Sequence, residues 1–286
     1  MGMVLVAGAT GALGRCVVAE LKTQGHEVRR LVRQGAGAQD RTADLRDAVS
    51  LRKVTDGVDA VISCAGASMS LNTWGDRTGF REVDWQGNCN LLADAKRQAV
   101  PKFVYVSLAN GPELAQTEYA KYHEAFVGEL AGSGLEYAVV RPTGLFSFYL
   151  EILNMARQGR GVAINGGSAK TNPVHEMDAA KACVEALILG RVDIPVGGPE
   201  IFTRRRITEM AFEALGAKPS VMAVPGWAMA PVPMLMKPFN PRIAALAEFG
   251  IAVSSMDCVA PQDGVRKLGD YFRQNVSSDS VRASHA

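Results

Sequence analysis

The sequence predicts an α/β fold, a doubly wound parallel sheet with a small C-terminal substrate-covering portion. Three observations lead there. Apolar runs bounded by turn signals recur at 3–7, 27–32, 59–64, 102–107 and 136–141. Helix-like segments separate them, as successive βαβ units require. The runs themselves are near-continuously apolar, the pattern of strands buried on both faces.

The first strand, Met3-Val4-Leu5-Val6-Ala7, feeds straight into Gly8-Ala9-Thr10-Gly11-Ala12-Leu13-Gly14. Gly8 lets the chain turn sharply, Gly11 removes a side chain where a phosphate must approach the backbone, and Gly14 lets the next helix pack closely on the strand. That helix, expected at 15–24 with Cys16, Val17, Val18 and Leu21 on its apolar side, turns its N-terminal N–H groups and dipole toward the loop. The spacing is GxxGxxG, not the commoner GxGxxG. Its context, after a strand, opening a helix and leading to a second strand at 27–32, points to the pyrophosphate of a dinucleotide. A tight βα turn without a ligand is the plainer alternative.

Helices at 45–56, 85–99 and 119–132 supply the crossovers. After Pro142, short strands near 162–164, 171–174 and 193–196 alternate with helices at 176–189 and 204–215. In the last of these, Thr203 caps the N-terminus, Ile207, Met210, Ala211 and Leu215 form one face, and Gly216 is the stop. Arg204, Arg205 and Arg206 oppose the dipole of its first turn and read as solvated surface. Residues 225–255 are proline-punctuated and methionine-rich, and 276–286 read as a disordered tail. The chain thus divides into a dinucleotide-binding part (1–145), a mixed α/β part covering the substrate and interleaved with the core (146–275), and the tail. No internal repeat occurs.

Composition removes several classes. A net charge of +2 argues for neither nucleic acid nor an anionic membrane surface. Cys16, Cys64, Cys89, Cys183 and Cys258 are scattered without metal-ligand spacing, so neither a metal site nor a disulfide scaffold is expected, and a reducing cytoplasm fits. No basic segment precedes the apolar first strand, so no signal peptide is expected there. The most membrane-like stretch, Pro225 to Pro238, falls short of the roughly 20 residues of a spanning helix and is broken by Pro231 and Pro233. Oligomeric state is left open.

The end of the second strand should decide which dinucleotide binds, because an acid there accepts from a ribose 2′-hydroxyl and repels a 2′-phosphate. The strand instead ends Arg29-Arg30-Leu31-Val32-Arg33, and Arg33 is placed to grip a 2′-phosphate, unless it is merely an exposed loop arginine. NADP(H) is the expected cofactor. With Gly8 to Gly14 and Arg33, the segments Asp44-Leu45-Arg46-Asp47, Ser63-Cys64-Ala65-Gly66, Val83-Asp84 through Asn88, Arg141-Pro142-Thr143-Gly144, Asn172-Pro173-Val174-His175 and Val196-Gly197-Gly198-Pro199-Glu200 carry a resemblance. Over most of its length the chain resembles the atypical short-chain dehydrogenase/reductases of the NmrA-like type, which include divinyl chlorophyllide reductase-like relatives. The resemblance implies a Rossmann domain in which Asp44 and Leu45 border the adenine, Ala65 and Gly66 pass along the cofactor, and Pro142, Thr143 and the residues to Leu145 lie near the nicotinamide. Asp44 as a helix cap and Gly66 as an ordinary turn are the bland alternatives. Asn88, inside an expected helix, is read as mending backbone.

Short-chain reductases generally pair a Tyr with a Lys four residues on, since i and i+4 share a helix face and the ammonium lowers the phenol's pKa. The corresponding pair here is Tyr119 and His123, and Lys121 points away. Tyr119 is the candidate proton donor to an oxyanion, with Ser107 at its strand end bonding the same oxygen. Each also has a structural reading: Tyr119 as packing, Ser107 as a strand-end cap, His123 as a satisfied histidine. Phe146, Phe148 and Tyr149 are placed to wall an apolar substrate, with Trp227, Met229, Met234, Met236 and Phe239 as a lid or as core. His175 is read as structural. The reading is an NADP(H)-dependent oxidoreductase reducing a carbonyl or conjugated double bond of an apolar small molecule. Two rivals stand beside it: a non-catalytic dinucleotide sensor, favoured by the missing lysine, and an assembly or chaperone-like subunit, favoured if 225–240 proves exposed.

Overall fold

The computed structural model describes residues 2–35, 37–69, 78–190 and 192–283. Nine strands come first in the chain: β1 (Met3–Ala7), β2 (Glu27–Val32), β3 (Asp40–Thr42), β4 (Ala60–Ser63), β5 (Lys102–Val106), β6 (Glu136–Pro142), β7 (Gly161–Ile164), β8 (Lys170–Thr171) and β9 (Asp193–Val196). Seven of them form one sheet in the order β3-β2-β1-β4-β5-β6-β9, every pair parallel. The order reverses at β1, so the crevice between the carboxyl ends of β1 and β4 is where such a sheet receives a ligand.

Alternate side chains of each strand feed two cores. Val4 and Val6 of β1 face one side with Ile62, Val104 and Val140, covered by α1 (Ala12–Thr23) through Leu13, Val17 and Leu21. Leu5 and Ala7 face the other with Val61, Phe103 and Tyr105, covered by α2 (Asn88–Arg97) through Leu91 and by α3 (Glu118–Ala131) through Phe126. Successive strand residues point to opposite faces, so a sheet covered on both sides needs apolar side chains at nearly every position.

Past β6, α4 (Phe146–Arg157), α5 (Glu176–Glu185), α6 (Arg204–Ala214), α7 (Gly226–Met229), α8 (Pro231–Met236), α9 (Pro241–Ser254) and α10 (Leu268–Ala283) build the second part of the chain. The remaining strands are short. β10 (Phe202–Thr203) pairs antiparallel with β8, and β11 (Val221–Val224) runs parallel to β7. Thr203 does cap α6, accepting from Arg206 N at 3.1 Å. No helix among the described residues is long and apolar enough to cross a membrane.

Three expectations are corrected. Residues 45–56 form no helix but a chain of turns, closed by bonds such as Arg52 N to Val49 O and Val54 N to Leu51 O. The cause is Asp94 of α2, whose buried carboxylate takes the Lys53 N–H at 3.0 Å and the Thr55 N–H and hydroxyl at 3.1 and 2.8 Å. Those donors cannot also serve a helix ladder. Lys53 accordingly adopts φ 62°. The strand expected at 171–174 stops at Thr171, because Asn172 spends its side chain on Gly198 O, Ala260 O and Ala260 N and Pro173 has no N–H to donate. The tail expected from 276 begins as helix: α10 continues to Ala283, with Phe272 fully buried and Val276 packed against the cluster of α4 and α6.

Candidate cofactor and active site

The loop after β1 is shaped by what its glycines lack. Gly8 has φ +73°, and a Cβ there would lie 2.6 Å from the Cys64 carbonyl oxygen at the end of β4. A Cβ on Gly14 would lie 2.1 Å from the Gly8 carbonyl oxygen. Gly14 falls inside α1, which begins at Ala12 rather than 15, so the helix is seated directly on the turn. Gly11 is its N-cap, and no side chain caps it. Thr10 and Gly11 are exposed. Helix dipole and open N–H groups therefore face the crevice, a cradle that fits a diphosphate.

At the end of β2, two of the three arginines are committed. Arg29 donates to the carbonyls of Val54 and Asp56, and Arg30 makes a two-pronged pair with Asp40 at 2.7 and 2.8 Å. Arg33 is exposed and makes no hydrogen bond or ion pair among the described residues. Asp44 lies close enough to feel it. Its carboxyl is held at about 2, first by the hydrogen bond from Arg46 and in smaller part by the charge of Arg33. Asp44 caps no helix; it binds the Arg46 N–H at 2.9 Å and side chain at 2.6 Å. Beside it opens a cavity of about 460 Å³ lined by Asp44, Arg46, Asp47, Arg81, Glu82 and Gln86. Leu45 is half-buried, packs on the core and gives its carbonyl to Asn90.

The chain after β4 is fixed by a buried polar set. Asn88 takes the Ser63 hydroxyl proton at 2.5 Å and donates to the carbonyls of Ala65 and Asp84 at 3.2 and 3.0 Å, which is the backbone-mending role expected of it. Asp84 accepts from Ala67 N at 3.2 Å, and a Cβ on Gly66 would meet its Oδ1 at 2.8 Å. Gly66 itself is exposed along the crevice, with Ala65 buried beneath.

Asp84 also reaches the active-site candidates. His123 Nε2 lies 3.1 Å from Asp84 Oδ1, and His123 Nδ1 is 2.7 Å from the Tyr105 hydroxyl. Both ring nitrogens thus face protein groups, and the imidazole is 5% exposed. Tyr119 stands edge-on to Phe80, His123 and Phe249, with ring centroids 4.6–5.2 Å apart. Burial, then the Asp84 charge, pushes its phenol well above the ordinary value. Ser107 is not free: it donates to Glu124 at 3.0 Å and accepts from Arg141, whose guanidinium grips Glu124 at 2.6 and 3.0 Å and Asp193 at 2.6 Å. Burial opposes the charge on Arg141, but Glu124 and Asp193 together outweigh it and raise its pKa above the ordinary value. Thr143 also turns to protein, donating to Asn172 O at 2.6 Å, while Pro142 O accepts from Ala109 N at 3.0 Å.

The expected lid is inverted. Trp227, Met234 and Phe239 point to solvent, and α9 takes the inner place instead, bringing Leu246 and Phe249 to Tyr119, Phe80 and Leu108. Asn240 caps α9 by accepting from Ile243 N, and Arg242 ties it to Ser68 O. Phe146 and Tyr149 are core residues against α6 and α10, and Phe148 is half-exposed. His175 is structural: its Nδ1 accepts from Met177 N at the head of α5. Of the α6 arginines, Arg205 and Arg206 pair with Glu209 and Glu213 at the surface, but Arg204 is turned inward. No group of three acidic, histidine or cysteine side chains suited to a metal ion occurs among the described residues. Reading the sequence missed Asp84 as the partner of His123 and Glu124 as the partner of Ser107.

Fold and site together define a dinucleotide-binding α/β protein of oxidoreductase type. The sequence model of a family described as NAD(P)H-binding matches residues 8–188, and the chain belongs to that family. Divinyl chlorophyllide a 8-vinyl-reductase, chloroplastic, of Cucumis sativus is 25% identical over 297 residues, covering 91% of this chain and 70% of its own. Photosystem II assembly factor Ycf39 of Synechocystis sp. is 26% identical over 238 residues, covering 78% of this chain and 70% of its own. The crystal structure of the NADPH-dependent quinone oxidoreductase QOR2 of Escherichia coli, complexed with NADPH, superimposes with a TM-score of 0.76 at 18% identity, covering 96% of this chain and all of that one. That likeness shows the fold alone.

The steric argument is checked by two alanines. Gly14→Ala forces α1 off the turn, costing about 1 to 3 kcal/mol in urea denaturation and abolishing the fluorescence change on NADPH addition. Gly128→Ala, at a helical position where a Cβ meets nothing within 4 Å, raises stability by about 0.5 to 1 kcal/mol and leaves NADPH binding unchanged.

Proposed function

We propose that the protein is an NADP(H)-dependent reductase of an apolar small molecule, acting on a carbonyl or conjugated double bond with Tyr119 as proton donor. The observation that carries the reading is Tyr119 itself, a phenol kept protonated by burial in an apolar cluster at the carboxyl side of the sheet. Gly8, Thr10, Gly11, Ala12, Leu13 and Gly14 would hold the diphosphate, Arg33 the 2′-phosphate, and Asp44 and Leu45 the adenine. Ala65, Gly66, Pro142 and Thr143 would line the path to the nicotinamide, Thr143 by its backbone since its hydroxyl is engaged. A bound reduced nicotinamide supplies the hydride.

Tyr119 then supplies the proton. A phenol raised by desolvation is a weak acid that holds its proton until strongly basic charge develops beside it, on an alkoxide or enolate oxygen or the equivalent carbon. His123, with both nitrogens facing Tyr105 and Asp84, orients the Tyr119 ring and takes no proton from substrate. Ser107 is assigned to the Glu124 and Arg141 pair rather than to the substrate oxygen. Phe80, Leu108, Leu246 and Phe249 pack in one apolar cluster with Tyr119, and low polarity of this kind strengthens a charge-stabilising bond made within it.

Two experiments test this. Titrated with NADPH and NADH, the protein binds NADPH the more tightly, and Arg33→Ala removes at least about a tenfold share of that preference. Equal affinity for both cofactors refutes the 2′-phosphate assignment. With a panel of quinones, enones and aldehydes, Tyr119→Phe lowers kcat by about 10² or more without weakening NADPH. The wild-type reductive rate stays flat from about pH 6 to about pH 9, since the proton donor does not ionise there. An unchanged rate in Tyr119→Phe, or no turnover of any compound, leaves a cofactor-binding protein without this chemistry.

A further inference from the structure

From β11 to the start of α9 the chain turns large apolar side chains to solvent. Trp227 is 80% exposed, Met234 76%, Phe239 68%, and Leu235 and Met222 63% each. Large apolar side chains exposed together in one short stretch of chain mark an interaction surface. These side chains have no inward place to fold, because α8 packs on α9 and α9 already occupies the face of α3 around Tyr119.

Two features select what covers them. The first is charge: no acidic residue occurs between Glu213 and Glu248, while Lys218 and Lys237 are both exposed. The balanced charge of the whole chain conceals this local excess. The second is the shortage of hydrogen-bonding groups. Across 214–247 the polar side chains are Lys218, Ser220, Trp227, Lys237, Asn240 and Arg242. Of these, Asn240 and Arg242 are 1% and 3% exposed and bonded within the protein. A protein–protein interface makes about one hydrogen bond per 100–200 Å², and this face has few donors and no acidic acceptor to offer. A bilayer boundary asks for none from its hydrocarbon side, takes Trp and Phe at headgroup depth, and receives lysines whose stems lie along the apolar layer while their ammonium groups meet phosphates.

We propose that residues 222–239, flanked by Lys218, form a docking face for an anionic lipid bilayer, with Trp227, Met234, Leu235 and Phe239 in the headgroup–acyl boundary and Lys218 and Lys237 on lipid phosphates. The contact is peripheral, as no described helix is long and apolar enough to span. It goes beyond the reductase reading and stands whichever reaction the site performs. The face adjoins the site, since α8 packs on α9 and α9 covers Tyr119.

Flotation of the full chain with phosphatidylcholine vesicles, with and without phosphatidylglycerol, tests the proposal. The protein floats with the vesicles containing phosphatidylglycerol. Trp227→Ser with Phe239→Ser lowers partitioning at least about tenfold. Lys218→Ala with Lys237→Ala lowers it roughly tenfold on anionic vesicles and hardly at all on neutral ones. NADPH affinity and circular dichroism of both variants match the wild type, separating loss of the face from loss of the fold or the cofactor site. In the wild type, brominated lipid quenches a fluorescence component that Trp227→Phe removes, which gives the same answer without a polar substitution. The proposal is overturned if the wild type stays with the soluble fraction or if the apolar pair of substitutions leaves flotation unchanged. A dimer in light scattering that the same pair dissolves also overturns it, because a second copy then covers the face.

Discussion

The close approach of three backbone segments, β1's end, β4's end and the head of α1, is the constraint on which the rest of the molecule depends. Gly8 passes against the Cys64 carbonyl, and Gly14 passes against the Gly8 carbonyl, at separations that leave no room for a Cβ. Because the contacts are backbone on backbone, no rotamer change can relieve a larger residue. They seat α1 so that Leu13, Val17 and Leu21 complete one core, and they leave its first N–H groups aimed at the crevice beside β4. Packing and anion-binding capacity are therefore produced by the same two glycines.

A second set of interactions, polar and buried, holds the carboxyl ends of β4, β5 and β6 in register. Asn88 and Asp84 brace the chain after β4, His123 joins Asp84 to Tyr105 on β5, and Arg141 on β6 joins Ser107, Glu124 and Asp193. Such groups are costly to bury unless partnered; here the exceptions are Asp84 Oδ1 and His123 Nε2, which lie 3.1 Å apart without a hydrogen bond. The effect is to bind α3 to the sheet at three levels, so that Tyr119 is presented from a rigid helix. In place of an ammonium that would lower its phenol, Tyr119 has an imidazole turned to other groups, and burial first and the Asp84 carboxylate second raise the phenol.

Much of this was legible in the chain because it is local. The glycine turn, the apolar strands and the Thr203 cap are each decided within a few residues, and each lies where the sequence puts it. The segment 45–56 was misread as helix because its fate is decided by Asp94, some forty residues away, whose carboxylate competes for the amides a helix would use. The inverted lid has a similar origin. Methionines and aromatics at 227–239 and apolar residues at 243–253 are equally suited to an inner face, and only the docking of α9 onto α3 decides between them. Tyr119, His123 and Ser107 were found as residues, but their partners Asp84, Tyr105 and Glu124 come from separate elements and carry no shared spacing in sequence.

The proposed seat of the nicotinamide dinucleotide is the turn from Gly8 to Gly14, with the strand-end segment at Ala65 and Gly66 alongside it. Hydrogen exchange read by mass spectrometry, with and without saturating NADPH, addresses it directly. Slower exchange of the amides in peptides covering Gly11 to Gly14, and with them Ala65 to Ala67, is the result this account predicts. Protection confined to other parts of the chain, with those two segments unchanged, contradicts it.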